Sequence, residues 1–293
     1  AERAMYTVLA TLLPVAGVSA YIFGWRVIAV MLTSVISALV FEGLAQWARR
    51  RSPWRSVKDG SAVLTGMLLA LTLPPSTPLW LAVLGAGVAL LLGKQAFGGL
   101  GHNLFNPALV GRVFLLVTFP QFLTDFGGNI RMVDAVTSAT PLTANTQGAA
   151  VPTYLELLAG YRAGALGETA IAALLLGGLV LLTMRIIDWR IPAGVLGSAA
   201  LFAWAAGRDP LLHVLSGGLV LGAFFMATDW VTSPLTRLGR WIYAIGIGLI
   251  TMVIRLWGSY PEGISFAILF MNTCTPLINR FTLPRPARVG RVS

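Results

Sequence analysis

The sequence predicts an all-α integral membrane protein: ten transmembrane helices in two five-helix repeats of inverted topology, each repeat containing a broken helix. Three observations predict this class. Of 293 residues, 56% are hydrophobic and only 11% are charged, with a mean hydropathy of +0.79, whereas soluble domains carry about 25% charged residues. Apolar runs recur at 4–23, 25–46, 61–73, 79–97, 106–120, 169–185, 191–206, 214–228, 240–257 and 263–279, and a hydrocarbon core of ~30 Å asks for ~20 apolar residues per helix. The basic residues are also segregated. With the N-terminus inside, most of the 21 Lys and Arg fall on the cytoplasmic side, among them Arg3, Arg49 to Arg51, Lys58, Arg185, Arg190, Arg237, Arg240 and Arg280. That bias is the positive-inside signature of ten spans with both termini cytoplasmic. The net charge of +10 therefore describes topology, not a nucleic-acid footprint.

Taken in order, the first run follows Arg3 as a signal peptide would. It lacks a small-residue cleavage site and a second run follows almost at once, so it reads as a helix. The third and eighth runs are short. One leads into Leu73-Pro-Pro-Ser-Thr-Pro78 and the other into Thr228-Asp-Trp-Val-Thr-Ser-Pro234, which marks both as broken helices. The halves can be laid over each other with Gly66 against Gly222, Thr72 against Thr228 and Gly98 against Gly258. Pro107 and Pro261 then each open the next helix, where a proline loses nothing. Five spans per half make the second half enter the membrane from the opposite side, and paired interrupted segments of this kind place a binding site near the repeat interface. The alternative is that short, glycine-rich helices simply pack tightly, and glycine is frequent at 32 residues. The division is residues 1–120 for the first repeat, 121–168 for an outside connection, 169–279 for the second repeat and 280–293 for a cytoplasmic tail.

Three groups of residues can carry chemistry. The outside connection holds a hydroxyl-rich island, Asp134-Ala-Val-Thr-Ser-Ala-Thr140-Pro-Leu-Thr143. Pro141 biases Thr140 toward extended backbone and the small residues before it leave its hydroxyl open to modification; by residue type alone the string is only a turn. The second group is Gly98-Gly-Leu-Gly-His-Asn-Leu-Phe-Asn-Pro107, whose glycines allow close approach to a planar ligand while Asn103 and Asn106 offer donors and acceptors. A Gly-Asn turn that caps a helix accounts for the same residues. The third is the set of charges in or against apolar runs: Glu42, Asp59, Arg112 and Asp229. Ionisable groups there bind a coupling cation, relay protons, or pair and cap. Lys94 and Arg255, at helix ends, are expected to snorkel or hold a loop, and Trp189, Trp230 and Trp257 to form an aromatic belt. The lone Cys274 excludes an internal disulfide and a thiolate-held iron–sulfur cluster within the chain. His102 and His213 fall on opposite predicted sides, against a bis-histidine haem, and neither a metal-ligand spacing nor a nucleophile motif is present.

The chain resembles the D subunit of Rnf-type ferredoxin:NAD oxidoreductases and, more distantly, the B subunit of the sodium-pumping NADH:quinone oxidoreductase. The residues that carry the likeness are Lys58 to Gly66, Gly93 to Pro107, Asp134 to Leu142, Trp189-Arg-Ile-Pro192, Gly222 to Asp229 and Arg255 to Gly263. The resemblance implies a fold like that of urea channels. It also implies FMN joined by a phosphoester to the last threonine of a Ser/Thr-Gly-Ala-Thr motif, which here reads Thr137-Ser138-Ala139-Thr140 with Ser138 in the glycine's place. Asp134 opens that motif. A noncovalent riboflavin in the membrane part is implied as well, with Asn103 and Asn106 as candidate contacts, and Asp59, Asp229 and Glu42 are the candidates for ion coupling. The implied protein is a membrane flavoprotein of the bacterial inner membrane, its FMN loop periplasmic, relaying electrons between ferredoxin and NAD and coupling them to Na⁺ or H⁺ movement. NAD and ferredoxin would bind other subunits, a second flavoprotein among them, and a flavin transferase would mature the chain. The competing class is a secondary transporter or channel without a redox role, because inverted repeats with broken helices are a transporter architecture.

Overall fold

A computed structural model describes residues 2–124, 153–160, 164–258 and 263–283; within them every regular element is helical. The first half runs α1 (Glu2–Phe23), α2 (Trp25–Ala48), the short α3 (Pro53–Lys58), α4 (Ser61–Leu71), α5 (Leu79–Leu90) and α6 (Pro107–Thr118), with the single turn α7 (Pro120–Leu123) behind it. After α8 (Tyr154–Ala159) come α9 (Ile171–Thr183), α10 (Arg190–Ala205), the short α11 (Pro210–Leu215), α12 (Leu219–Leu221), α13 (Arg237–Trp257) and α14 (Ile264–Thr282). Each apolar run of the sequence thus has a helical counterpart. Three helices, Glu2–Phe23, Trp25–Ala48 and Arg237–Trp257, are long and apolar enough to cross a membrane, and five shorter apolar helices accompany them. The outward faces agree: Leu32, Ile36, Val40 and Leu44 of α2 are exposed at helical spacing, as a lipid-facing stripe requires.

The order long helix, short helix, interrupted helix, long helix occurs twice. In the first half α2 packs on α4 and α5, and α5 on α6; in the second α10 packs on α13, and α13 on α14. Between halves α1 lies against α9 and α6 against α14. Two single-turn π-helices, Leu91–Gln95 at the end of α5 and Gly222–Met226 after α12, widen the helices locally, a feature frequent at functional sites.

Local chemistry explains the joints. Gly24, at φ 85°, separates α1 from α2 in a conformation side chains avoid. Asn106 caps α6 by accepting from the Ala108 and Leu109 N–H groups, and Pro107 occupies the first helical position. Thr236 caps α13 through the Gly239 N–H at 3.0 Å. Between α2 and α4 the backbones nearly touch: a Cβ on Gly66 would sit 2.8 Å from the Val35 Cα and 2.9 Å from the Ser34 carbonyl. Ser34 Oγ in turn donates to the Gly66 carbonyl at 2.8 Å, the small-residue packing that membrane helices favour. Gly66→Ala is therefore expected to lower the thermal midpoint of the solubilised protein by an overpacking cost of about 1–3 kcal/mol; an unchanged midpoint would show that α2 and α4 are not in this contact.

The broken ends are sealed from within. Past α4 the chain stays non-helical from Thr72 to Pro78, yet Leu73 and Thr77 are fully buried. Gly167 N–H donates to the Leu71 carbonyl at 2.6 Å, Leu166 N–H to the Leu73 carbonyl at 3.0 Å, and Arg112 reaches the Thr72 carbonyl. Ser19 Oγ holds Leu166 from α1 at 2.6 Å. In the second half Asn272 and Thr275 donate to the Thr232 carbonyl at 3.3 and 2.9 Å, and Arg255 holds the turn ahead of α12, donating to the His213 and Ser216 carbonyls at 2.5 and 2.9 Å. An interrupted helix in an apolar surround needs such partners for its orphan carbonyls. Arg112 and Arg255 are thus structural donors, and Arg255 holds a loop as expected.

Candidate functional site

The sequence-predicted site residues separate into two places. Thr140, with Thr137, Ser138, Ala139 and Asp134, lies outside the described residues. Of the others, Asn103, Asn106 and Asp229 line one cavity of about 260 Å³, and Asp59 and Glu42 lie behind its lining. Its walls come from both halves: α1 and α4 with Ser61 and Thr65, the glycine loop with Asn103 and Asn106, α9 with Leu181, and the segment Thr228 to Val231 after the second π-turn. Each of the two π-turns contributes lining, Lys94 from the first and Phe224 and Phe225 from the second.

The polar groups on these walls already have partners. Asn103 is 5% exposed, and its Nδ2 donates to the Phe105 carbonyl at 3.1 Å. Asp229, partly buried, accepts from Val231 N–H at 3.2 Å and Thr232 Oγ1 at 3.4 Å. Asn106, 4% exposed, spends its carbonyl on the α6 cap and donates from Nδ2 to the Met226 carbonyl at 3.1 Å, a bond between the halves. So Asn106 has one N–H left, while the Asn103 carbonyl has no such commitment to a helix cap.

A buried ion pair also reaches the cavity, with its positive end among the lining residues. Lys94 Nζ, 2% exposed, lies 3.1 Å from Glu42, which is fully buried, and donates to Ser61 Oγ at 2.7 Å. Ser61 donates in turn to Asp59 at 2.5 Å. Glu42 further accepts from Gln95 at 2.8 Å, from Gln46 at 3.4 Å and from Ser56, and Arg49 binds Gln95 from outside at 3.0 Å. Lys94 therefore does not snorkel: its amine points into protein because a carboxylate is buried there to receive it. The three ion-coupling candidates are thereby placed: Asp229 on the cavity wall, and Asp59 and Glu42 one side chain behind it.

Sequence reasoning missed Lys94 as a member of this site and missed Glu168, which is 4% exposed in the buried run that seals α4. A signal for the first existed: Glu42 and Gln46, four residues apart, form a polar stripe inside an otherwise apolar α2. His102 is exposed in the glycine loop and His213 is buried in α11.

Described residues that are helical throughout their regular elements, with membrane-type apolar faces and interrupted helices around a mostly apolar cavity, define an integral membrane protein with an internal cavity between its halves. Its family is established by sequence comparison over nearly its whole length: the chain belongs to the NQR2, RnfD, RnfE family, whose model matches residues 1–288. It is 47% identical over 292 residues to the D subunit of the Na(+)-translocating ferredoxin:NAD(+) oxidoreductase complex of Acetobacterium woodii, covering 98% of this chain and 91% of that protein. It is 40% identical to the D subunit of the proton-translocating ferredoxin:NAD(+) oxidoreductase complex of Clostridium ljungdahlii, covering 97% and 90%. To the D subunit of the ion-translocating oxidoreductase complex of Stutzerimonas stutzeri it is 42% identical, covering 97% and 91%. Those relatives are named for different ions, so overall similarity does not select Na⁺ or H⁺ for this chain.

Proposed function

We propose that this chain is the D subunit of an ion-translocating ferredoxin:NAD oxidoreductase, a membrane flavoprotein that relays electrons and couples them to ion movement. The observation that carries this reading is the match to the family along residues 1–288, shared with relatives of almost the same length. In this reading the ten helices form two inverted five-helix repeats with both termini cytoplasmic. Thr140 carries FMN through a phosphoester on the periplasmic side of the inner membrane, put there by a flavin transferase, and the other subunits supply the NAD and ferredoxin sites.

The cavity at the junction of the halves is the riboflavin site of this proposal, and its residues fit such a group. A flavin ring is flat and largely apolar with polar edges; the walls are mostly apolar, and Asn103, Asn106 and Lys94 bring polar atoms to them. A bound flavin supplies one- and two-electron transfer, while the protein supplies position and electrostatics. Asn103 offers its carbonyl to an N–H edge. Asn106 fixes the start of α6 relative to the Met226 carbonyl. Lys94 sets a positive charge toward the cavity and, held by Glu42 and Ser61, keeps it there. Asp229 lines this space and the Asp59–Ser61–Lys94–Glu42 chain reaches it through Ser61 and Lys94, so a change of charge inside it is felt by both. That shared electrostatics is the physical basis for coupling electron movement to a cation or proton.

The test uses the purified complex in sealed vesicles. Cation or proton uptake should begin only when reduced ferredoxin and NAD are both supplied, and should stop in the Thr140→Ala complex. Uptake that proceeds in wild type without any reductant would overturn the electron-transfer reading in favour of a channel.

A further inference from the structure

A second cavity, of about 600 Å³, lies on the other side of Ile186, Ile187, Thr228 and Trp230, which line both. It opens at the end of the bundle where α9 stops at Thr183 and α10 and α13 begin at Arg190 and Arg237. Its lining carries Arg185, which is exposed, and Arg240, which is 30% exposed, and Asp188 is the one carboxylate among its described lining residues. Asp188 receives Arg190 at 3.0 Å and Arg240 as well, while Arg240 Nε donates to the Pro234 carbonyl at 3.1 Å. Burial pushes the Asp188 carboxyl up, but the Arg190 N–H and the Arg240 guanidinium outweigh it and hold the group below the usual carboxylate range. The carboxylate therefore stays charged at neutral pH, fixing two guanidiniums at the mouth. Three guanidiniums against one carboxylate leave the mouth clearly positive.

The rim is built for a membrane surface. Trp189 and Trp230 are each 54% exposed and neither ring is loose: Trp189 meets Trp241 edge-on with centroids 5.6 Å apart, and Trp230 Nε1 donates to the Ile186 carbonyl at 2.7 Å. Half-exposed, anchored indoles beside arginines are what the headgroup level of a bilayer selects. Beyond the rim, Leu238, Ile242, Ile245 and Leu249 form an exposed apolar stripe along one face of α13, leading away from the basic end.

We propose that this mouth is a binding site for an anionic phospholipid. Arg185 and Arg240 hold the phosphate, Trp189 and Trp230 bracket the glycerol level, and the acyl chains run down the α13 stripe. The recognition is charge plus amphipathic shape, as in basic pockets between membrane helices that take anionic headgroups. It is independent of any flavin and rests only on the chain being a membrane protein.

The test uses the whole complex in phosphatidylcholine nanodiscs doped with phosphatidylglycerol bearing a photoactivatable headgroup, with crosslinks mapped by peptide mass analysis. Label is expected within 183–191 and 228–241. Unlabelled phosphatidylglycerol should compete it away, whereas neither phosphatidylcholine nor inorganic phosphate should. Arg185→Gln with Arg240→Gln should cut this labelling by roughly tenfold or more, since each basic residue at a membrane surface contributes about a fivefold factor, while labelling elsewhere on the complex stays constant. Equal competition by phosphatidylcholine would overturn the proposal. Competition by inorganic phosphate would replace it with a free-anion site, and label that appears only after a neighbouring subunit is removed would replace it with a protein interface. The competition arms use wild-type protein, so they stand even if the variant fails to assemble.

Discussion

Glu42→Gln is expected to be among the most damaging single substitutions in the described part of the chain. It leaves the Lys94 amine, 2% exposed, without the carboxylate 3.1 Å away that balances it. Breaking one partner of a buried pair costs about 3–5 kcal/mol, because the remaining charge cannot be hydrated. The measurement is the thermal midpoint of the detergent-solubilised chain, which should fall markedly, together with loss of assembly into the complex. Adding Lys94→Met to Glu42→Gln should restore most of the midpoint, since neither charge is then buried. The double variant separates stability from function: with the fold recovered but the positive end of the pair gone from the cavity wall, electron transfer through the complex should remain impaired. A Glu42→Gln protein as stable as wild type would mean that the pair is hydrated and not buried as it is here.

Asn106→Ala should be nearly as costly and more specific. The side chain caps α6 through two N–H groups and bonds the Met226 carbonyl of the other half. Losing a cap and leaving a buried carbonyl unpaired together amount to roughly 2–4 kcal/mol. Asn106→Asp keeps the cap acceptors but loses the N–H to Met226 and sets a carboxylate against that carbonyl, so the cap stays while the bond between halves is lost. If the cavity holds riboflavin, both variants should release it on purification while covalent flavin, measured on denatured protein, stays at the wild-type level. Riboflavin retained in Asn106→Ala would remove this cavity as its site.

The fold was legible wherever hydrophobicity alone decides. Each apolar run has its helix because the bilayer demands a saturated backbone, and the two non-helical stretches were marked by Pro74, Pro75 and Pro78 in one case and by Asp229 to Pro234 in the other. The structure makes several of those helices shorter than the runs, as Ser61–Leu71 and Ile171–Thr183 show, because chain packed inside the protein can leave the helix once its carbonyls find other partners. Those partners were not legible. Gly167 and Leu166 belong to a segment that looks like the polar end of an outside connection, and only tertiary structure shows them capping Leu71 and Leu73.

The candidate site was half legible for a similar reason. Asn103, Asn106 and Asp229 stood out as polar groups in apolar or glycine-rich surroundings, and the structure brings them to one cavity. That Lys94 faces the same space depends on the π-turn at Leu91–Gln95, which no periodicity announces, and on a partner 52 residues away in Glu42. Thr140 came from the opposite kind of argument. Its residues alone describe a turn, and it is the resemblance that implies a flavin acceptor there.

The most direct test of the central proposal is therefore made on that residue. The chain, produced with its flavin transferase, is denatured, washed free of bound ligand and resolved on a gel, and the fluorescent band is digested for peptide mass analysis. Wild type should fluoresce and carry FMN on the peptide containing Thr140, and Thr140→Ala should be dark at equal protein. A colourless wild-type chain, or fluorescence that persists in Thr140→Ala, would contradict the proposal that this chain carries electrons through a flavin tethered at Thr140.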